Sequence, residues 1–314
     1  MIYGKDMKNI LLVDVDSHNM PNLAIMKKYA LYKLKGIHVD FSFHGELIQD
    51  VRKYDIVEFS KIFSFTDFNS NCKDILNTAV NAEHRYYGYG FNYFTEEYLD
   101  CVYPAYEIYY DYYQEYKNVA IGYITRGCKN NCPFCVVPAS EHKTHQVAEL
   151  ENFVDYNKHN EILLLDNNFL SWPKHFKYLV NFYDISKEKR IKFNFKQGLD
   201  IRLTTDENLK ILNKITTKYV HFAYDSPKHT DEYIKLFENL VKIISPYRVI
   251  VYVIANYYDN YTEVLDKLEF LISLKIAPYL MIYEKQNAPL KIRKLQTFVN
   301  NKKLFRNFKK EEWL

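Results

Sequence analysis

From Val119 onward the chain alternates short apolar runs with amphipathic stretches, and no other feature narrows its fold so far. Strand-like runs stand at 119–125 (VAIGYIT), 161–166 (EILLLD), 191–196 (IKFNFK), 218–224 (KYVHFAY), 248–256 (RVIVYVIAN) and 277–283 (APYLMIY). Helical periodicity fills the gaps at 146–157, 172–185, 206–214, 229–243 and 260–274, and a last helix over 290–300 carries Leu290, Leu295, Phe298 and Val299 on one side. Strands joined through helices pair in parallel, so the series predicts an α/β fold with a parallel sheet curled into a partial (β/α)6 barrel.

A smaller unit precedes it. Residues 9–15 (NILLVDV) read as a buried strand, followed by Pro21 at a first helical position and an apolar-periodic helix ending at Gly36. Two further strand-like runs, 37–43 and 55–59, make a small Rossmann-like α/β unit. From 61 to 117 the pattern is irregular and rich in tyrosine. The expected organisation is a small α/β domain with a Tyr-rich linker or cap (1–117), the partial barrel (118–290) and a basic helix and tail (291–314).

Thirty tyrosines and 21 phenylalanines against eight glycines, with many Lys, Asn and Ile, resemble the coding bias of an AT-rich genome. The run YYDYYQEY at 109–116 is therefore read first as packing, ahead of a base-stacking platform. The net charge of +3 is too mild to announce a polyanionic partner. No apolar run approaches the ~18 residues of a membrane span, and the first residues lack the pattern of a signal peptide. A cytoplasmic protein with reduced thiols is expected, and no membrane partner.

Three of the five cysteines, Cys128, Cys132 and Cys135, fall within TRGCKNNCPFCVVP (125–138). Reduced thiols so spaced on one loop point to a metal centre rather than to disulfides. Zinc would need a fourth ligand, such as His142 or His145, and the alternative reading is then a zinc-stabilised Cys3His nucleic-acid-binding module. A ferredoxin-type carrier would need a fourth cysteine, and none is near. A 4Fe–4S cluster on three cysteines leaves one iron open, the arrangement that lets a cluster bind a ligand directly. Cys72 and Cys101 stand alone and read as small buried hydrophobes.

In parallel α/β folds chemistry sits outside the carboxyl ends of the strands. Here those ends read Arg126 and the cysteine loop, then Asp166-Asn167-Asn168-Phe169, then Gln197 to Arg202, then Asp225-Ser226, Asn256 and Glu284-Lys285. Polar side chains at nearly every strand end would converge on one mouth.

With Phe134 before the last cysteine, the C-x3-C-x2-C loop after the first strand of such a series resembles the signature of the radical S-adenosylmethionine (radical SAM) superfamily, over about 118–290. The resemblance implies a 4Fe–4S cluster on Cys128, Cys132 and Cys135, with SAM chelating its open iron. It also implies reductive cleavage of SAM to a 5′-deoxyadenosyl radical that takes a hydrogen from substrate, and an external electron donor of the flavodoxin or ferredoxin type. Phe134 would pack near adenine. Asp166 and Asn167 would meet the SAM amino group, Arg202 its carboxylate, and Ile254 and Asn256 would stand where the family often has a strand-five glycine motif. Gln197, Asp200 and Asp225 are placed nearer the substrate, as candidate catalytic groups.

Two branches of the superfamily bear on the details. Val136-Val137-Pro138 is similar to the methylthiotransferases, but those carry a second cluster on three further cysteines, and only Cys72 and Cys101 remain. Asp16-x-His18 is similar to the D-x-H-x-x-G loop of cobalamin domains, with Pro21 where the glycine belongs. Cobalamin is therefore not expected, and a cobalamin-dependent methyltransferase is the alternative. VDVDSHN-x-PNLA, QGLDIR and NN-x-x-x-FR resemble a group of radical SAM proteins, often phage-encoded, with a degenerate cobalamin-binding-like N-terminal domain. The N-terminal unit is expected to cap the barrel mouth, with Asp16 and His18 facing it. Between Lys291 and Lys310 stand eight Lys or Arg and no acid. That run is read first as a docking helix with a solvated basic face, ahead of a surface that tracks a phosphate backbone; together with the partial likeness to tRNA-modifying relatives it leaves a nucleoside or nucleic acid as the favoured substrate class.

Overall fold

The computed structural model describes residues 8–46, 48, 50–91, 97–141, 143–225, 230–257 and 261–314. The chain is a mixed α/β protein with parallel sheets. By its internal contacts it divides into two compact units, Met1–Gly122 with Val147–His159, and Tyr123–Gln146 with Asn160–Leu314. The first unit thus runs five residues past the expected boundary at 117 and takes in a second segment, and the basic tail belongs to the second unit.

The first unit holds four parallel strands in the order β2-β1-β3-β4: β1 (Asn9–Asp14), β2 (His38–Phe43), β3 (Ile56–Ser60) and β4 (Glu83–Tyr87). Helix α1 (Leu23–Leu34) connects β1 to β2. Asn22 caps it by accepting from the Ile25 N–H, and Gly36, at φ 71°, makes the left-handed exit that the sequence marks. β1 is buried on both faces, the property that makes it a continuous apolar run. Leu11, Val13, Val57 and Phe59 pack with Cys72 and Ile75 of α2 (Ser70–Thr78). Complete burial of a side chain such as Phe59 is worth about 2–3 kcal/mol.

α2 and β4 correct the expectation of an irregular stretch over 61–117. The tyrosine run that follows latches onto the β1–α1 loop of its own unit. Tyr109 donates to the Asp14 carboxylate, Tyr113 to the Ser17 carbonyl at 3.1 Å and Tyr116 to the Asn19 carbonyl at 3.0 Å. Burial pushes the Asp14 carboxyl up, against hydrogen bonds from Ser17 and Tyr109. Asp16 is nearly buried, and its carboxylate takes the N–H groups of Ile62 (2.7 Å) and Phe63 (2.9 Å). His18 is exposed, its ring 6.3 Å from that of His44. The unit closes with β5 (Val119–Gly122), where Gly122 lies against the Phe153 ring so closely that an added Cβ would stand 2.5 Å from it.

The second unit opens with β6 (Thr125–Arg126) and the one-turn helix α3 (Val137–Ser140), and β7 (His145–Gln146) returns to pair antiparallel with β6. The helix expected over 146–157 is absent; Leu150–Asn152 form only a 3-10 turn. β8 (Glu161–Leu164) and β9 (Lys192–Asn194) pair in parallel, with α4 (His175–Lys189) between them. A four-stranded parallel sheet follows in sequence order: β10 (Leu199–Asp200), β11 (Val220–Tyr224), β12 (Val249–Ala255) and β13 (Ala277–Ile282). Helices α5 (Asp206–Ile215), α6 (Asp231–Ile243) and α7 (Tyr261–Ser273) make the crossovers, and α8 (Leu290–Val299) follows β13. Phe222, Val251 and Val253 from the strands and Leu212, Phe237, Leu268 and Leu295 from the helices are fully buried. Among the described residues no helix is long and apolar enough to cross a membrane.

Candidate metal centre

The cysteine loop is an excursion whose two ends are fastened by the β6–β7 pair, with Thr125 opposite Gln146 and Arg126 opposite His145. Its entry is Gly127, buried and at φ 83°, a conformation a side chain would strain. The thiols of Cys128, Cys132 and Cys135 are free and half-buried, and the Cys135 N–H closes a turn on the Cys132 carbonyl at 3.0 Å. Two amides address Cys128 Sγ: the Asn130 N–H at 3.4 Å and the Asn168 side chain, whose Nδ2 donates at 3.3 Å.

The electrostatics of this loop are those of acids crowded together. Burial pushes the Cys132 thiol up, and the neighbouring Cys135, Asp225 and Cys128 push it further, while Arg202 opposes them. Cys135 is raised in the same way, by burial first and by Cys128, Asp225 and Glu141. A cation held between the sulfurs would invert this balance, because thiolates are the ligating form.

Behind the loop stands Glu141, buried. Its Oε1 pairs with the Arg126 guanidinium at 2.8 Å, and its Oε2 accepts from the Gly127 N–H at 3.1 Å and from the Asn167 side chain. The Arg126 guanidinium also lies 3.9 Å from the centre of the Tyr123 ring. A second tie crosses to the tip of β10, where Asn130 Nδ2 donates to Asp200 at 2.9 Å. Asp200 in turn holds Arg202 through two hydrogen bonds, Nε at 2.8 Å and a terminal nitrogen at 2.7 Å. Burial pushes the Asp200 carboxyl up, but the hydrogen bonds from Arg202 and Asn130 outweigh it and leave it below the usual range.

Several residues expected to meet SAM are therefore engaged elsewhere. Asp166 is fully buried and accepts from the N–H groups of Ile124 (3.2 Å) and Thr125 (2.5 Å) and from the Thr125 hydroxyl (2.6 Å). Burial still carries its carboxyl to about 6 against those bonds. It ties the start of β6 to the segment after β8, and Asn167 belongs to the Glu141 network. Arg202, expected at the SAM carboxylate, has its guanidinium fork on Asp200. Ile254 is buried in β12, and Asn256, left-handed at φ 66°, donates to the Tyr283 carbonyl at 2.9 Å. Gln197 is exposed in the turn before Gly198. Phe134 makes an edge contact with Tyr257, ring centres 5.3 Å apart. Cys101, expected to be buried, is exposed, its thiol 3.3 Å from the Val147 carbonyl; Cys72 is buried. His142 and Ser226 lie outside the described residues.

Compared with known proteins, the chain matches no family model and no curated protein.

Two acceptors near the loop have no donor among the described residues. One is Oδ1 of Asn168, on a side chain that spends its Nδ2 on Cys128. The other is Oδ1 of Asp225, at the end of β11, whose carboxyl burial and the nearby Asp200 push up to about 6 while Lys267 and Arg202 oppose. Buried polar atoms are rarely left unpaired in native structures, so each marks a place for a donor from a ligand or from water. Among the described residues no three His, Cys, Asp or Glu side chains are gathered as a ready ligand set for a single ion. Asn168 was legible only as part of the polar run after the second strand; Asn130 and Glu141 gave no sequence signal.

Proposed function

We propose that the chain is a radical SAM enzyme whose Cys128, Cys132 and Cys135 hold a 4Fe–4S cluster, built on a partial barrel formed by the strands from 119 onward. The observation that carries this reading is the cysteine loop itself. Three half-buried thiols share one loop beside the carboxyl ends of parallel strands, and Cys128 receives two amide hydrogen bonds of the kind that tune cluster sulfurs. The donor set fits a cluster with one open iron: three soft ligands, with unpaired acceptors on Asn168 and Asp225 close by. When bound and reduced, such a cluster supplies the electron that breaks the sulfonium C–S bond of SAM.

The chain's own groups do the positioning. Glu141 fixes Arg126 and Gly127 and so sets where Cys128 begins, while Asn130 ties the loop to Asp200. Asn168 Oδ1 and Asp225 suit the ammonium group of SAM or a donor on the substrate, in place of the Asp166 and Asn167 expected for that task. Phe134 and Tyr257 offer ring faces for a purine. An electron donor of the flavodoxin or ferredoxin type would supply the reducing equivalent. The cobalamin-dependent alternative is disfavoured in the first unit. Where the β1 and β3 ends would open a crevice for a ligand tail, Asp16 is bonded to Ile62 and Phe63, and Asn22 donates to the Ser60 hydroxyl at 3.0 Å.

The test is anaerobic incubation of iron-reconstituted protein with SAM and dithionite, measuring 5′-deoxyadenosine and methionine. Cleavage that disappears in each single Cys128→Ala, Cys132→Ala and Cys135→Ala variant is expected. Cleavage that persists in the triple variant, or none with a full complement of iron, would contradict the proposal.

A further inference from the structure

We infer that the surface running from α8 to Arg306 docks a double-stranded polynucleotide by its phosphates. α8 turns Ile292, Leu295 and Val299 inward, which leaves Lys291, Arg293 and Lys294 on its exposed side. The chain then continues through Lys302, Lys303 and Arg306, all exposed. None of these six cations has a carboxylate within ion-pair distance among the described residues. The pairs in this region belong to Lys309, 3.7 Å from Glu312, and to Lys310 with Asp266.

Charge distribution gives the patch its meaning. The stretch 291–310 holds eight of the chain's 42 Lys and Arg and none of its 39 Asp and Glu, so the remainder of the chain is net negative. A mild overall charge thus conceals a segregated one. Ordinary surfaces intersperse the two signs, and uncompensated cations along one helix and its following loop repel one another until a polyanion meets them.

The duplex follows from what the aromatic residues do. Phe305 and Phe308 are buried, and Phe298 packs against Trp313 with ring centres 5.3 Å apart. The rings interleaved with the basic residues are therefore withdrawn from the stacking on which single-strand binders depend. The exposed ring beside the patch, Tyr247, has the Arg306 guanidinium 5.6 Å from its centre. A grip on phosphates alone suits a double helix. A membrane surface fits less well, because peripheral helices bury a continuous apolar face in lipid, whereas the exposed large apolar side chains within 290–306 are Leu290 and Leu304, one at each end.

The measurement is fluorescence anisotropy with a short labelled duplex, made once as DNA and once as RNA, against the matching single strand and against anionic phosphatidylserine vesicles. It uses the full chain without added iron, so the result does not depend on the redox proposal. Titrations between about 50 and 200 mM salt should give a log–log slope near −5 if all six cations meet phosphates, at about −0.9 each. Arg293→Glu/Lys294→Glu/Lys302→Glu/Lys303→Glu should weaken binding more than tenfold and bring the slope to about −2. The charge-conserving set Arg293→Lys/Lys294→Arg/Lys302→Arg/Lys303→Arg should bind like wild type. Binding of either duplex with this slope supports the inference and tells DNA from RNA. A slope near zero, equal or tighter binding of the single strand, preference for vesicles, or a charge-reversed variant that folds and binds unchanged would overturn it.

Discussion

Glu141→Ala removes the group that holds three parts of the cysteine loop's base at once. In the native chain its carboxylate pairs with Arg126 at 2.8 Å, both side chains being less than a tenth exposed, and it also takes the Gly127 N–H and the Asn167 amide. Deleting one partner of a buried pair leaves the other charge uncompensated, at about 3–5 kcal/mol. The stacking of Arg126 on Tyr123 is the same before and after the change and cancels in the difference, so a loss of roughly 3–5 kcal/mol is expected. Glu141→Gln keeps the shape and one acceptor and should lose about 1–3 kcal/mol. Urea unfolding of the iron-free protein under reducing conditions measures this directly. Iron uptake on reconstitution reads the consequence for the loop, since Gly127 directly precedes Cys128. The double variant Arg126→Met/Glu141→Ala should cost clearly less than the two single changes added together, because neither charge remains unpaired. A Glu141→Ala protein within about 0.5 kcal/mol of wild type, taking up iron in full, would refute the anchoring role.

Two further outcomes follow from packing and burial. Gly122→Ala should destabilise the first unit by about 1–3 kcal/mol, because the added methyl would stand 2.5 Å from the buried Phe153 ring; an unchanged melting temperature would show that the ring can move aside. His221 lies in β11, stacked on Tyr252 with ring centres 5.6 Å apart, and burial, helped by Lys196, lowers its pKa to about 4 against an ordinary 6.5. The unfolded chain therefore binds more protons between those values. This contribution, up to about 3 kcal/mol, is complete above about pH 6.5 and is lost as the pH falls toward 4. His221→Phe should flatten that part of the stability profile, and a profile identical to wild type would contradict the assignment.

The parts of the fold written in the sequence are those where one signal suffices. β1 is an unbroken apolar run, and α1 has Asn22 at its start and Gly36 past its end. α2 and β4 were not legible for a physical reason. α2 buries only Cys72 and Ile75 among nine residues, and β4, an edge strand, buries only Tyr87. The stretch 146–157 misled in the opposite way: Ala148, Leu150, Phe153 and Val154 have helical spacing and are buried, yet the backbone makes only a 3-10 turn. In the site, residue spacing placed the cysteines on one loop and polar groups at strand ends. It carried no information about which of those groups are already spoken for. Asp166 is satisfied by Ile124 and Thr125, and Asn167 by Glu141, partners far away in sequence that only the fold brings near. Asn168 and Asp225, by contrast, keep an unpaired oxygen.

The most direct test of the central proposal is the metal that the cysteine loop takes up. After anaerobic reconstitution with iron and sulfide, with zinc measured in parallel, about four irons and four sulfides per chain are expected. The EPR signal of the reduced cluster should change when SAM is added, and the Cys128→Ala/Cys132→Ala/Cys135→Ala variant should hold no cluster. One zinc per chain with no iron, or a cluster signal indifferent to SAM, would contradict the proposal.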